Sequence, residues 1–279
     1  MELRKDNMLT SFSKNSLLLL IGGISLSVLA GMSSADAQQE PLRIGLAASA
    51  NNEAIEAVLP RAKAAGLDVK LIEFNDWNMP NNALFEKSID VNFYQHIPYL
   101  ESASKGNGYN FVPVGIGFIS VAGIYSNRIK NLADLKDKAT VSVSNDPTNL
   151  GRALLLLQSA NLIKLREGVG YAATVKDIVG NPKNLKIVPM AAQQVPRSLD
   201  DVDIAVTFPS FMRLAKLDAD NALLFEVPQK IWAIRFVARM ESKNDERIQK
   251  FIKIYQSAPE TKEVLRRLYG NHVSFGWEE

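Results

Sequence analysis

The sequence predicts an α/β fold, because short apolar segments typical of strands alternate with segments of helical periodicity. Residues 43–47 (RIGLA) indicate a short apolar strand, and residues 68–74 (DVKLIEF) indicate a second one. Between them, residues 52–65 place Ile55 and Val58 on one face of a predicted helix. The chain after residue 42 therefore begins as a β-α-β unit.

The alternation continues to the end of the chain. Further strands are predicted at residues 91–93, 111–114, 120–125, 140–143, 185–189, 204–207 and 233–238. Helices are predicted between them at residues 82–87, 94–107, 132–135, 148–160, 177–180, 210–214 and 245–268. Strands and helices mixed at this spacing indicate an α/β protein, and the sequence has no evident internal repeat.

The composition indicates a globular protein and excludes several kinds of chemistry. Of the 279 residues, 47% are hydrophobic and 22% are charged, which is typical of an ordinary folded domain. The 32 basic and 30 acidic side chains leave a net charge of +2, which disfavours general nucleic-acid binding. With no cysteine, the chain has no disulfide, thiolate nucleophile or thiolate-held metal, and we expect no lipid anchor on cysteine. We expect no cofactor.

Residues 1–37 are predicted to be a secretory signal peptide. Three basic residues precede an apolar run over residues 16–30, and residues 35–37 (ADA) offer small side chains to a signal peptidase. The run is shorter than the roughly 20 apolar residues that span a bilayer, so a permanent transmembrane anchor is the weaker alternative. We expect cleavage after Ala37 and a periplasmic mature protein, with membrane association through an uncleaved leader as the alternative.

An aromatic cluster surrounds a lone histidine in residues 89–100 (IDVNFYQHIPYL). Aromatic rings beside a histidine are suited to lining a small apolar pocket. The alternative is a core cluster with a hydrogen-bonded histidine, and composition alone favours it. The residues concerned are Phe93, Tyr94, His96 and Tyr99.

Residues 144–152 (SNDPTNLGR) close a predicted strand and open a predicted helix. Pro147 suits the first helical turn and Asp146 suits its cap, while the free amides of the turn and Arg152 together suit a carboxylate. A simple capped helix start with a solvated arginine is an equal alternative.

A third segment, residues 194–203 (QVPRSLDDVD), carries an acidic run before a predicted strand. Its aspartates lack the glycine and the distal glutamate of a calcium-binding loop. We interpret the run as a solvated turn and expect no metal site.

Four long strings resemble one family, the NlpA/MetQ family of methionine-binding substrate-capture proteins of bacterial ABC importers. They occur in the family's order, and the resemblance covers the chain from Arg43 to Trp277. The strings are DVNFYQHIPYL, NDPTNLGRALLLLQSANLIKL, VGNPKNLKIV and QVPRSLDDVDIAV. The resemblance implies a two-lobed periplasmic-binding-protein fold of type 2 with its ligand cleft between the lobes. One lobe would comprise residues 38–123 plus 235–279, and the other residues 124–234.

The resemblance also implies a ligand site. Its apolar cage would be formed by Trp77, Phe93, His96 and Tyr99, since a thioether packs well against aromatic edges. Its carboxylate clamp would be Arg152, assisted by Asn149 at the start of the helix.

Three positions depart from the family pattern. Relatives commonly carry histidine at Asn51, and they carry asparagines at two places where this chain has Phe208 and Ile234. A buried polar group that loses its partner costs about 1–3 kcal/mol. Three explanations remain open: Thr207 and Ser210 replace the lost amides, the ligand lacks a free amino group, or the site is larger and less polar.

The expected function is the delivery of methionine or a related small amino acid to an ABC permease in the inner membrane. The alternatives are an envelope binding protein for a different carboxylate-bearing or peptide ligand, and an envelope protein with no part in transport. An enzyme is not expected, because the mature chain has only His96 and His272, no cysteine and no G-x-S-x-G motif.

Overall fold

The structure is a computed structural model and describes residues 40–278. The predicted signal peptide, residues 1–37, lies outside the described residues. Within residues 40–278, no helix has the length and apolar character that crossing a membrane requires. The same residues contain no group of three histidine, cysteine, aspartate or glutamate side chains able to hold a metal ion.

The described residues form strands and helices in alternation, as an α/β fold requires. The strands are β1 Leu42–Ala47, β2 Val69–Phe74, β3 Val91–Gln95, β4 Phe111–Ser120, β5 Gly123–Tyr125, β6 Thr140–Ser144, β7 Lys164–Leu165, β8 Ile178–Gly180, β9 Lys186–Met190, β10 Ile204–Thr207, β11 Leu224–Phe225, β12 Ala233–Arg239 and β13 Val273–Phe275. The α-helices are α1 Asn52–Glu56, α2 Leu59–Ala64, α3 Met79–Phe85, α4 Ile97–Asn107, α5 Pro147–Ser159, α6 Pro209–Leu214, α7 Glu246–Ser257 and α8 Pro259–Tyr269.

The first sheet has six strands in the order β13-β4-β12-β3-β1-β2. β1 pairs in parallel with both β2 and β3, which confirms the β-α-β unit at its start. β12 is antiparallel to β3 and to β4, and β13 is antiparallel to β4. With helices α1–α4, α7 and α8, this sheet forms the first lobe.

The second sheet has five strands in the order β11-β5-β10-β6-β9. β6 is parallel to β9 and β10, whereas β5 is antiparallel to β10 and β11. With helices α5 and α6 and the β7-β8 ribbon, it forms the second lobe. Both sheets share one arrangement, in which three parallel strands are followed by an antiparallel strand, β12 or β5, that comes directly after a passage between the lobes. This repetition has no counterpart in the sequence pattern.

The chain passes between the lobes twice, after β4 at Ser120 and again between Phe225 and Ala233. The predicted lobe boundaries at 123/124 and 234/235 fall close to these passages, although Gly123 belongs to the second sheet and Ala233 to the first. The division into two domains stays a prediction.

Each lobe has its own hydrophobic core. In the first, Ile55, Phe251 and Leu265 bring α1, α7 and α8 onto the sheet. In the second, Leu154 and Leu157 of α5 pack on the central strands. Because apolar burial dominates folding free energy, each sheet is stabilised largely by its own helices.

Several predicted elements differ from the observed ones, and proline explains two of the differences. The predicted helix 245–268 is two helices, since Pro259 at the first position of α8 cannot continue α7. The predicted helix 52–65 is likewise split, with Pro60 in the first turn of α2. Residues 94–95 belong to β3 rather than to a helix, and the predicted helix 177–180 is mostly strand β8.

Candidate functional site

A cavity of about 650 Å³, including its open mouth, lies between the two lobes. β1 and β3 of the first lobe and β10 of the second end beside it, where ligands of open α/β sheets usually bind. The lining residues are Ala47, Ser49, Asn51, Asn52, Trp77, Phe93, Tyr94, Gln95, His96, Tyr99, Phe118, Ser120, Asn149, Arg152, Phe208, Ser210, Phe211 and Ile234.

The structure brings together all but one of the residues expected to form the site. Those that line the cavity are Trp77, Phe93, His96 and Tyr99 from the first lobe and Asn149, Arg152 and Ser210 from the second. Thr207 does not line it, because as the last residue of β10 it is buried within the sheet, where it pairs with Gly123 of β5. The expectation that Thr207 replaces a lost amide is therefore corrected.

His96 lies where β3 gives way to α4. Its extended backbone makes it the N-cap, and its Nδ1 accepts a hydrogen bond from the Tyr99 amide at 3.2 Å. Its Nε2 lies 3.1 Å from Asn149 Oδ1 on α5. Pro98 lies in the first turn of α4, where its missing N–H loses no helical hydrogen bond, and the helix begins at Ile97 rather than at residue 94.

The hydrogen bonds of Asn149 determine the protonation of His96. Asn149 donates from its Nδ2 to Asp146 Oδ1 at 3.0 Å, which leaves its Oδ1 to accept from His96. The hydrogen of His96 is therefore on Nε2. Burial, and then the nearby charge of Arg152, lower the pKa of His96 to about 3. The imidazole in the cavity wall is neutral.

Arg152, on the second turn of α5, is almost entirely buried and already paired. Its Nε lies 2.8 Å from Glu226 Oε2 and its Nη2 lies 2.9 Å from Oε1, a bidentate ion pair. Nη2 also donates to the Ser120 carbonyl at 2.8 Å. The residue expected to hold a ligand carboxylate thus holds a carboxylate of its own chain, and its role toward a ligand stays a prediction.

Aromatic rings fix the plane of this guanidinium. Its central carbon lies 4.5 Å from the centroid of the Trp232 ring and 5.0 Å from that of the Phe208 ring. A cation above an aromatic face is attracted to it. Phe208 therefore packs against Arg152 and offers it no hydrogen bond.

Trp77 forms part of the wall at the mouth. Its ring packs edge-on against Tyr99, with centroids 5.8 Å apart, and against Phe211 of the second lobe at 5.7 Å. Tyr99 also donates from its hydroxyl to the Trp77 carbonyl at 3.2 Å. The aromatic side of the predicted cage is thus built from both lobes.

Phe93 serves the core as much as the cavity. Its ring stacks on Phe236 with centroids 4.1 Å apart and meets Tyr255 edge-on at 5.3 Å. The two alternatives for the aromatic cluster apply to different members: Tyr94, His96 and Tyr99 line the cavity, and Phe93 joins its wall to the core.

Sequence reasoning missed a network of buried amides behind the cavity. Gln95 donates to Asn81 Oδ1 at 2.8 Å and to Asn92 Oδ1 at 2.9 Å, and Asn81 donates back to Gln95 at 3.1 Å. The sequence signal for this network was the presence of three amide side chains, Asn81, Asn92 and Gln95, within residues 81–95. Sequence reasoning also missed Glu226, which follows β11, and no local sequence pattern indicates its pairing with Arg152.

The fold and the site together define a class of protein. Two lobes, each an α/β sheet of the same topology, are connected by two crossings and enclose a cavity for a small molecule. This is the two-lobed periplasmic-binding-protein fold of type 2, with its ligand cleft between the lobes.

Residues 42–277 match the model of the family described as NlpA lipoprotein. The chain belongs to the NlpA lipoprotein family.

Similar proteins and structures agree with this assignment. The chain is 40% identical over 264 residues to the "D-methionine-binding lipoprotein MetQ" of Escherichia coli K12, covering 92% of this chain and 95% of that protein. "Lipoprotein 28" of the same strain is 36% identical, over 93% and 95% of the two chains. A crystal structure of the methionine-binding protein MetQ aligns with a TM-score of 0.82 at 41% identity, over 85% and 98%. A Burkholderia cenocepacia nutrient-binding protein bound to methionine aligns with a TM-score of 0.80 at 40% identity, over 84% and 99%.

Proposed function

We propose that the chain is an extracytoplasmic solute-binding protein that delivers methionine or a related small amino acid to an ABC importer. The observation that carries this proposal is the cavity between the lobes, with an aromatic wall on one side and a buried guanidinium on the other. The names of one similar protein and of one structurally similar protein include methionine binding. This similarity supports the same ligand class for this chain.

The apolar half of the cavity suits a thioether side chain. Trp77, Phe93, His96 and Tyr99 present ring edges and faces to it, and sulfur packs favourably near aromatic edges. The polar half is formed by Asn149, Arg152 and Ser210, to which we assign the amino-acid end of the ligand.

A second candidate is a binding protein for a different carboxylate-bearing or peptide ligand. It is favoured by Phe208 and Ile234, which line the cavity where the family resemblance implies amides and whose side chains neither donate nor accept hydrogen bonds. An envelope protein with no ligand is less well supported, because Phe208 and Phe211 line the cavity between the lobes without closing it.

We propose binding and not catalysis at this site. Both ring nitrogens of His96 are engaged, one by the Tyr99 amide and one by Asn149. The one lone pair of this imidazole, on Nδ1, already accepts the hydrogen bond of the Tyr99 amide, so it is not free to take a proton from a nucleophile.

We further propose that the protein is periplasmic, after cleavage near Ala37, and that it reaches its permease without a lipid on cysteine. The relatives named above are lipoproteins, which supports an extracytoplasmic location. This sequence has no cysteine to carry such a lipid. The amino terminus and the mass of the purified protein test this proposal: a start at Gln38 with no added mass supports it, and an intact Met1 contradicts it.

The identity of the ligand is tested by identifying the small molecule that co-purifies with the protein. The protein is purified from the periplasm and denatured, and the released small molecules are identified by mass spectrometry, with a refolded sample as the ligand-free control. Methionine or a related amino acid at about one per chain is expected. A different small molecule would replace the ligand in the proposal, and failure of the ligand-free sample to bind any amino acid would reject it.

A further inference from the structure

The edge of Arg152 that a carboxylate prefers is occupied. Nε and one hydrogen of Nη2 meet the two oxygens of Glu226, and the other hydrogen of Nη2 goes to Ser120. Nη1 donates to no acceptor among residues 40–278. Because the bidentate pairing of guanidinium and carboxylate is already formed, Nη1 is the part of Arg152 left for a ligand.

Glu226 is held in place by the protein itself. Its side chain is only 10% exposed, and Oε2 also accepts a hydrogen bond from the Ala122 amide at 3.1 Å. Ala122 and Glu226 lie on the two passages between the lobes, so the carboxylate is anchored where the chain crosses. Its displacement by a ligand would leave a buried charge and a buried amide without partners.

The ion pair removes the net charge from the polar end of the cavity. The lining residues include no aspartate, glutamate or lysine, and His96 is neutral, so Arg152 is their one formal charge. Glu226 cancels it at hydrogen-bond distance. A ligand carboxylate therefore meets the hydrogen-bond donors of a neutral pair rather than an isolated cation.

We propose that Glu226 is a specificity-determining residue, which neutralises Arg152 so that the cavity accepts an uncharged carbonyl group in place of a free α-carboxylate. The ligand class is an amino acid whose carboxyl group is blocked as an amide, alongside the free amino acid. This inference rests on the proposed function and names the substrate range of the same site. The hydrogens on Nη1 donate to a carbonyl oxygen of either form.

The test compares two ligands that differ only at the carboxyl end, L-methionine and L-methioninamide. Both are titrated calorimetrically into the ligand-free protein at a pH where their amines are protonated. We expect the two dissociation constants to lie within about tenfold of each other, because the charge of Glu226 cancels most of the preference of Arg152 for a charged carboxylate over an amide. L-methionine binding with an amide more than about tenfold weaker overturns the inference and leaves the proposed function intact.

The variant Glu226→Gln tests whether Glu226 sets the ratio of the two affinities. Loss of the carboxylate restores a net positive charge at Arg152, so the ratio of affinities should move toward L-methionine by about tenfold or more. Glu260→Gln is the matched control, because Glu260 pairs with Arg61 at an exposed site and should leave the ratio unchanged. An unchanged ratio in folded Glu226→Gln overturns the inference.

Two further outcomes are distinguishable. If Glu226→Gln fails to fold, the wild-type ratio alone decides, and Glu226→Asp, which keeps the charge, should preserve that ratio. If neither ligand binds the wild-type protein, the ligand class is rejected together with the proposed function.

Discussion

Nε2 of His96 lies 3.1 Å from Oδ1 of Asn149, so a hydrogen bond joins α4 of the first lobe to α5 of the second. This hydrogen bond is part of a connected series of hydrogen bonds. Asn149 donates to Asp146, and His96 accepts from the amide of Tyr99. The two hydrogen bonds of His96 together require a neutral imidazole with its hydrogen on Nε2.

The neutrality of His96 predicts a pH dependence of stability. The pKa of His96 is 6.5 in an unfolded chain and is lowered to about 3 in the fold, first by burial and then by Arg152. Between these values the unfolded state holds more protons, so stability falls as the pH falls, by up to about 1.4 kcal/mol per pH unit. Chemical denaturation from pH 6.5 down to about pH 5 measures the slope.

Variants isolate the histidine in this measurement. His96→Gln should flatten the slope, whereas His272→Gln, which keeps His96, should retain it. Burial raises the pKa of Asp146, whose protonation acts in the opposite direction and is common to all three proteins. Equal slopes in the wild-type protein and His96→Gln would contradict a buried neutral histidine.

The ion pair between Arg152 and Glu226 predicts non-additive stability. Arg152→Met leaves Glu226 buried without its partner, which should cost about 3–5 kcal/mol of unfolding free energy. Adding Glu226→Gln removes the uncompensated charge, so the double variant should be more stable than Arg152→Met. Denaturant titration of the wild-type protein, of Arg152→Met, of Glu226→Gln and of the double variant measures the coupling, and strictly additive losses would mean that the pair contributes nothing as a pair.

Gly151 predicts a steric effect at the start of α5. A Cβ at this position would overlap the backbone carbonyl of Tyr171, which cannot rotate away as a side chain does. Gly151→Ala should therefore lose about 1–3 kcal/mol. Gly106→Ala is the matched control, because Gly106 is also helical, has open space around its Cβ position, and should gain up to about 1 kcal/mol. A neutral Gly151→Ala would show that the contact is loose.

Phe208 and Ile234 predict a weakened polar half of the site. If the lost amides served a zwitterionic ligand, Phe208→Asn with Ile234→Asn should strengthen L-methionine binding by about tenfold or more. Calorimetry of the double variant and of each single variant measures the gain. Unchanged or weaker binding would mean that the wild-type cavity already compensates.

The sequence predicted the parts of the fold and site that depend on local pattern. These parts include the short apolar strands and the helix capped by Asp146, and most of the residues that the resemblance implied for the site line the cavity between the lobes. Prolines limited the prediction of helix boundaries, because Pro98 and Pro259 lie in the first turns of α4 and α8 while the apolar pattern continues through both residues.

The remaining features depend on contacts between distant residues. Glu226 lies 74 positions from Arg152, and neither residue carries a local sign of the pair. Phe93 joins the core because Phe236, from a strand returning after the second lobe, stacks on it. Thr207 ends a strand as expected, yet the direction of its side chain depends on the pairing with β5. Such pairings arise only from the assembled topology.

The central claim is that the cavity between the lobes binds a methionine-sized amino acid, and calorimetric titration of L-methionine into refolded, ligand-free protein tests it most directly. The account predicts saturable binding of one ligand per chain with a dissociation constant below roughly 10 µM, and a clear loss of affinity in Trp77→Ala, which removes part of the aromatic wall. No saturable binding of either enantiomer of methionine, in a protein shown to be folded, would contradict it.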